Sequence, residues 1–280
     1  MSSILTNNSA MVALQTLKSI NSNLAKTQDE ISTGKKVATA QDNAAIWSIS
    51  KVMESDESAF RTIQSNLNMA GNVVATGRGG AERIQGILDK MHQLAISASS
   101  DGFDYSTIDT DIASMKEEIT SVIDASQLNG VNLLKTNPVA GQTTFSVLAS
   151  VDRTSGNPVT ANASITVTSV NFETSIEAVT IAPITDRATA LTARLQIESL
   201  IDVAKKGAAA LGTAGARINS QASFVSKLAD SLKAGAGALV DADMEEASAR
   251  LQALQTQQQL GVQALSIANQ APQTILSLFR

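Results

Sequence analysis

Few residues in this chain could carry chemistry, and none keeps the spacing that chemistry needs. His92 is the single histidine and there is no cysteine. Disulfides and thiolate metal sites are therefore excluded, as is any site built on paired histidines. A lone imidazole acting as a base needs an orienting partner. No carboxylate trio lies near His92 in sequence, so it reads as an ordinary helix-surface residue. Asp101, Asp104, Asp109 and Asp111 suggest a cation loop, but they miss the calcium-loop spacing and its central glycine. Helix capping is the simpler reading. The run Gly77-Arg78-Gly79-Gly80 follows no strand and lacks the lysine of a phosphate-binding loop. Asn162-Ala163-Ser164 fits a glycan acceptor pattern only weakly. The chain reads as a non-enzyme with no catalytic, cofactor-binding or metal residues.

Composition narrows the class. Net charge is −5, so the basic footprint of nucleic-acid binding is missing. Aromatics are only 3% of residues, and Leu, Ile, Val and Ala carry the hydrophobicity. That mixture suits thin helix–helix packing better than a thick core. No apolar run is long enough to span a bilayer, and Met1–Leu14 lacks a basic region followed by an apolar one. On these grounds alone the expectation is a soluble cytoplasmic protein with no membrane or nucleic-acid partner.

The elements come from periodicity. A heptad position recurs at Ile46, Met53, Phe60, Leu67, Val74, Ala81, Leu88 and Ala95. Its companion holds Ile49, Ile63, Ala70, Ile84, Met91 and Ala98. This predicts one long helix over about 43–99, with Asp42 as its N-cap. Ser106 with Asp109 resembles a capping box for a following helix striped by Ile108, Ile112, Met115, Ile119 and Val122. Asn129-Gly130 is a hairpin turn. Between Thr136 and Pro183 the segments TTFSVLA, SITVTSVNF and EAVTI alternate and are β-branched, so short strands are expected. After Thr185 a helical stripe returns at Ile197, Ile201, Ala204, Leu211, Ile218, Ala222, Val225 and Ala229. Asp243 with Glu246 caps a last helix.

The two ends match. Leu14, Leu17, Leu24 and Ile31 form a stripe near the N-terminus; Leu251, Leu254, Leu265, Ile275, Leu278 and Phe279 form one near the C-terminus. The fold class is mainly α: a long antiparallel helical hairpin or coiled-coil bundle with a small β-rich insert. No charged residue occurs between Arg250 and Arg280. A solvent-facing helix normally carries Lys and Glu on its outer face. An amide-rich face suggests contact with further protein, where amides pair without the desolvation cost of charges.

Four collinear stretches resemble the bacterial flagellin family. ISTGKKVATAQDNAA is similar to its N-terminal turn motif, and GRGGAERIQGILDKMHQLAI to its first long helix. SQLNGVNLL and ANQAPQTILSLFR resemble its hairpin turn and its C-terminal signature, with Phe279 where Leu is usual. The resemblance covers about residues 1–135 and 185–280 and leaves 136–184 unmatched. It implies a structural subunit that polymerises into the flagellar filament for swimming. Residues 1–41 and 242–280 would form a terminal coiled coil, the inner tube, in which the stripes from Leu14 and Leu251 onward make the self-assembly interface. Residues 42–135 and 185–241 would form an outer-tube rod, and 136–184 a surface-exposed insert. Gly34, Asp42 and Trp47 would form the joint between the first two. The implied partners are further copies, other flagellins, an export chaperone, and the cap and hook-junction proteins. The implied location is extracellular, reached by type III export without a cleaved signal, which reverses the cytoplasmic expectation. Lys90, His92 and Gln93 replace Arg, Arg and Glu in the stretch that an innate immune receptor recognises in some members. Two other readings stay open: a hook–filament junction protein, which shares the terminal helices, and a cytoplasmic helical signalling protein.

Overall fold

The computed structural model describes residues 7–100, 102–139, 141–151 and 164–278, with side chains described through 270. Asp101 and the Asn162-Ala163-Ser164 acceptor pattern thus fall wholly or partly outside the described residues. The chain is mainly α and divides into two compact units, residues 57–230 and residues 1–56 with 231–280. The elements in order are α1 (Asn8–Thr33), α2 (Ala44–Ser97), α3 (Tyr105–Ala125), β1 (Thr144–Leu148), β2 (Ser164–Thr168), α4 (Arg187–Val240) and α5 (Met244–Leu278).

In the unit 57–230, the heptad stripe of α2 becomes the core. Phe60, Leu67, Val74, Ala81, Leu88 and Ala95 are buried, and so are Ile63, Ala70, Ile84, Met91 and Ala98. α4 runs antiparallel to α2. A Cβ on Gly71 would meet Asn219 and Ile218, and one on Gly77 would meet Leu211. Ile108, Ile112, Ile119 and Ile123 give α3 its buried face. α2 packs on a wider face than two heptad positions, since Val73 and Ile87 are buried too. This corrects the reading of His92. The residue is half-buried beside Leu88, Met91 and Ala95, and its Nε2 is buried with no hydrogen-bond partner among the described residues.

α3 begins at Tyr105, capped by Asp104, whose Oδ1 accepts from Ser106 N–H at 3.0 Å and Thr107 N–H at 3.3 Å. The Ser106–Asp109 capping box is therefore wrong. Helical geometry starts one residue before Ser106, and Asp109 instead accepts from Ile184 N–H at 2.8 Å. Asn129 and Gly130 both have positive φ, at 53° and 76°, as the predicted tight turn requires.

The insert forms one antiparallel pair, β1 with β2, in the register Thr144 to Thr168. Its inner face holds Val147, Ile165 and Val167, all buried. Gln221 on α4 donates to Ala149 O at 2.8 Å, which ties the hairpin to α4. Phe172 is fully buried against Gly207 of α4, where a Cβ would lie 2.6 Å from the ring's Cε1. The third expected strand, EAVTI, is not one. Glu177 ends a π-helical turn over Glu173–Glu177, and Val179 O instead accepts from Lys116 Nζ at 2.8 Å. Ala178 N–H and Val179 N–H turn back on Glu173 O and Ile176 O, so these groups are not free to pair with a strand.

Candidate assembly surface and joint

The candidate site lies in the unit formed by residues 1–56 and 231–280. α1 starts at Asn8, with Asn7 as N-cap accepting from Ala10 N–H at 3.1 Å. It ends at Gly34, whose φ of 68° is the left-handed conformation that glycine adopts without a Cβ penalty. α5 returns antiparallel to α1. Asp243 caps it, accepting from Glu245 N–H at 2.9 Å and Glu246 N–H at 3.2 Å.

The α1–α5 seam mixes apolar packing with amides. A Cβ on Gly261 would lie 3.2 Å from Leu17 Cδ1 and 3.8 Å from Ile20 Cδ1, so that glycine lets the helices close. Gln258 Nε2 donates to Asn21 Oδ1 at 2.7 Å, and Asn7 Nδ2 donates to Ala268 O at 2.7 Å. Leu254 is buried; Leu17, Leu24, Ile31, Leu251 and Leu265 are half-buried; Leu14 is exposed. Ile275 and Leu278 lie on α5 beyond the described side chains, and Phe279 lies outside the described residues. Met11, Val12 and Leu14 on α1 and Leu260, Val262 and Ile267 on α5 are exposed apolar residues. A single copy therefore leaves both terminal helices with uncovered apolar surface.

The joint is built from backbone pairing. Lys36 N–H donates to Val240 O at 2.7 Å, and Ala242 N–H donates to Gly34 O at 3.0 Å. Lys35 and Asp241 form an isolated antiparallel bridge, and Val37 is buried beneath it. Asp42 does not cap α2. Its Oδ2 accepts from Ala38 N–H at 3.2 Å, Thr39 N–H at 2.9 Å and Thr39 Oγ1 at 3.0 Å, closing the loop on itself. The cap is Asn43, which accepts from Ile46 N–H at 3.1 Å. The loop's free N–H groups lie behind Asp42, while those of the helix lie ahead of Asn43. The Thr39 N–H, then its hydroxyl, hold the Asp42 carboxyl below its ordinary value. Trp47 is half-buried, and its carbonyl accepts from Ser50 Oγ at 2.9 Å. Lys51 Nζ lies 2.6 Å from Glu54, and this hydrogen bond is the main cause that holds the Glu54 carboxyl down.

Sequence reasoning missed Asn21, the cap at Asn43 and the bridge at Lys35. Asn43 was visible as a capping type immediately before the stripe. The bridge carries no local signal, because its two strands are about two hundred residues apart.

The sequence agrees with this pairing of the two ends. Residues 4–138 match the bacterial flagellin N-terminal helical region, and residues 195–279 match the bacterial flagellin C-terminal helical region. A flagellin of Brucella melitensis is 42% identical, covering 100% of both chains. Flagellin C of Rhizobium meliloti is 35% identical, again over 100% of both. Flagellin FljK of Caulobacter vibrioides is 36% identical over 100% of this chain and 99% of that one. The chain belongs to the bacterial flagellin family, and is a subunit of the flagellar filament.

Proposed function

We propose that the chain enters the filament through its own terminal helices, with residues 1–41 and 242–280 in the inner tube and 42–135 with 185–241 in the outer tube. One observation carries this reading. The outer face of α5 has no charge beyond Arg250, yet Leu260 is 59%, Val262 53% and Ile267 69% exposed. Apolar surface of this kind on an uncharged helix face is what a protein interaction site presents. The Leu14, Leu17, Leu24 and Ile31 stripe and the Leu251, Leu254, Leu265, Ile275, Leu278 and Phe279 stripe form the assembly seam. Gly34, Asp42 and Trp47 hold the joint, and residues 136–184 face outward. Burial during polymerisation offsets the ordering of these ends, as in coupled folding and binding. Before export a chaperone covers the C-terminal segment. The chain leaves the cell without a cleaved signal and adds beneath the cap, above the hook junction.

The test is polymerisation, seeded and unseeded, of the full chain beside one truncated after Arg250. Filaments from the full chain alone support the reading. Equal assembly by both removes α5 from the mechanism.

A further inference from the structure

Asn129 is the one asparagine in the chain that glycine follows. Both residues are exposed, and neither the Asn129 carboxamide nor the Gly130 N–H makes a hydrogen bond among the described residues. Other asparagines are better guarded. Asn21 and Asn219 precede serines inside α1 and α4, where the following N–H is spent on the helix. Asn171 shares the positive φ, at 49°, yet the next N–H, from Phe172, donates to Leu134 O at 2.6 Å.

A free backbone amide beside a free carboxamide has a characteristic reaction. The Gly130 nitrogen attacks Asn129 Cγ and loses its proton to solvent. The Cγ–Nδ2 bond breaks, and ammonia leaves. Water then opens the cyclic succinimide at either carbonyl. One product is aspartate; in the other, isoaspartate, the main chain runs through the side-chain carboxyl. Glycine hinders the attack least because it has no side chain. The reaction needs no oxidant and no enzyme.

The closed turn opposes this reaction. Asn129 and Gly130 have φ of 53° and 76°, and in a type I′ turn the first of the pair has ψ of about +30°. That value sets Asn129 Cβ nearly opposite the Gly130 nitrogen across the Cα–C bond, whereas ring closure needs them on one side. The conformation is held from outside the loop. Leu128 and Val131 each donate N–H to the other's carbonyl at 3.0 Å. Asn132 Nδ2 donates to Ile123 O at 2.6 Å, and its Oδ1 accepts from Leu134 N–H at 3.0 Å, beside the fully buried Leu133 and Leu134.

We propose that Asn129 is a self-modification site gated by its own hairpin, converting through a succinimide to aspartate or isoaspartate only when the 128–131 turn opens. The two products differ in fate. Aspartate tolerates the left-handed conformation as asparagine does, and Asp-Gly suits the same turn. Isoaspartate lengthens the backbone of the loop by a methylene, so the Leu128–Val131 pairing is not restored. The site therefore records time spent with the turn open, and the isoaspartyl chain stays open there.

The full chain, incubated with and without urea at the same pH and temperature, tests this by peptide mass spectrometry that separates the aspartyl and isoaspartyl forms. Conversion at Asn129 should run at least about tenfold faster in unfolding urea, since a rare open state limits the folded chain. Equal rates overturn the gate, and no conversion in urea overturns the site. Asn132→Ala frees the turn from Ile123 O and Leu134 N–H and should speed conversion several-fold without urea. An unchanged rate in a variant that keeps its helix content overturns the gate; if the variant loses its helices, the wild-type comparison in urea still decides. The purified isoaspartyl chain should melt below the aspartyl chain, and equal midpoints overturn the fate assigned to the product.

Discussion

At the residue scale, glycines separate close approach from mere flexibility. A Cβ on Gly207 would lie 2.6 Å from Phe172 Cε1, and one on Gly80 would lie 2.9 Å from Leu134 Cδ1. Phe172 and Leu134 are fully buried and have nowhere to move. Overpacking of this kind costs about 1–3 kcal/mol. The helix-propensity gain of Gly to Ala is about 0.5–1 kcal/mol, so the clash wins. Gly207→Ala and Gly80→Ala should lower the thermal midpoint. Gly79→Ala and Gly86→Ala, with nothing within 4 Å, should raise it. Calorimetry on the four variants decides. Carboxylates set the acid response. The Thr107 hydroxyl first, then backbone N–H groups, hold Asp104 below its ordinary value of 3.8. A depressed folded value means the stabilisation is present above 3.8 and is lost as pH falls through the folded value. Asp104→Asn should therefore destabilise the chain at neutral pH and flatten its loss of stability in acid, as read from melts between about pH 2 and 7. In the Leu88–Ile96 stretch, Lys90 and Gln93 are exposed. Lysine lacks the bidentate fork of arginine, so purified monomer should activate an innate receptor reporter weakly.

At the element scale, the joint matters because it turns one helix into the next. Gly34 has a φ of 68°, and a Cβ there would meet nothing within 4 Å, so the constraint is conformational rather than steric contact. A branched L-residue held there costs about 1–2 kcal/mol. That strain would be relieved by moving Lys36 and Ala242 away from their bonds to Val240 and Gly34. Gly34→Leu filaments should form poorly or switch supercoil abnormally under electron microscopy; normal filaments would remove Gly34 from the joint. α2 is held differently. At about 1.5 Å per residue its 54 residues reach about 80 Å, and packing of the buried stripe against α4 stabilises it more than helix propensity does.

For the molecule as a whole, the chain is folded but not finished. The unit 57–230 buries the α2 stripe from Phe60 to Ala98, although Met69, Leu195 and Phe224 stay exposed. The unit built from both termini leaves Met11, Val12, Leu260, Val262 and Ile267 in water. On the proposed assembly reading, other copies cover these residues, which makes stability of the ends depend on protein concentration. Filaments of the full chain should therefore lose terminal order on dilution below the critical concentration, while helix content from residues 57–230 persists. Circular dichroism on dilution measures it, and a uniform loss of signal would count against this division of labour.

The helices, the stripes and the family were legible in the sequence. They rest on local periodicity and on motifs such as the Asn129-Gly130 turn, which need no knowledge of distant residues. The glycine that ends α1 and the aspartate that starts α5 were legible for the same reason. Asp42, Ser106 and EAVTI were misassigned, since each competes with a neighbour for the same backbone groups and only geometry picks the winner. Asn43 lies one residue ahead of Asp42, Asp104 two before Ser106, and Lys116 reaches Val179 O from another element. The Lys35–Asp241 bridge and the Gly207 seat for Phe172 emerge only in three dimensions. They depend on residues far apart in the chain brought within a few ångströms, and side-chain spacing along one helix carries no record of what lies opposite it.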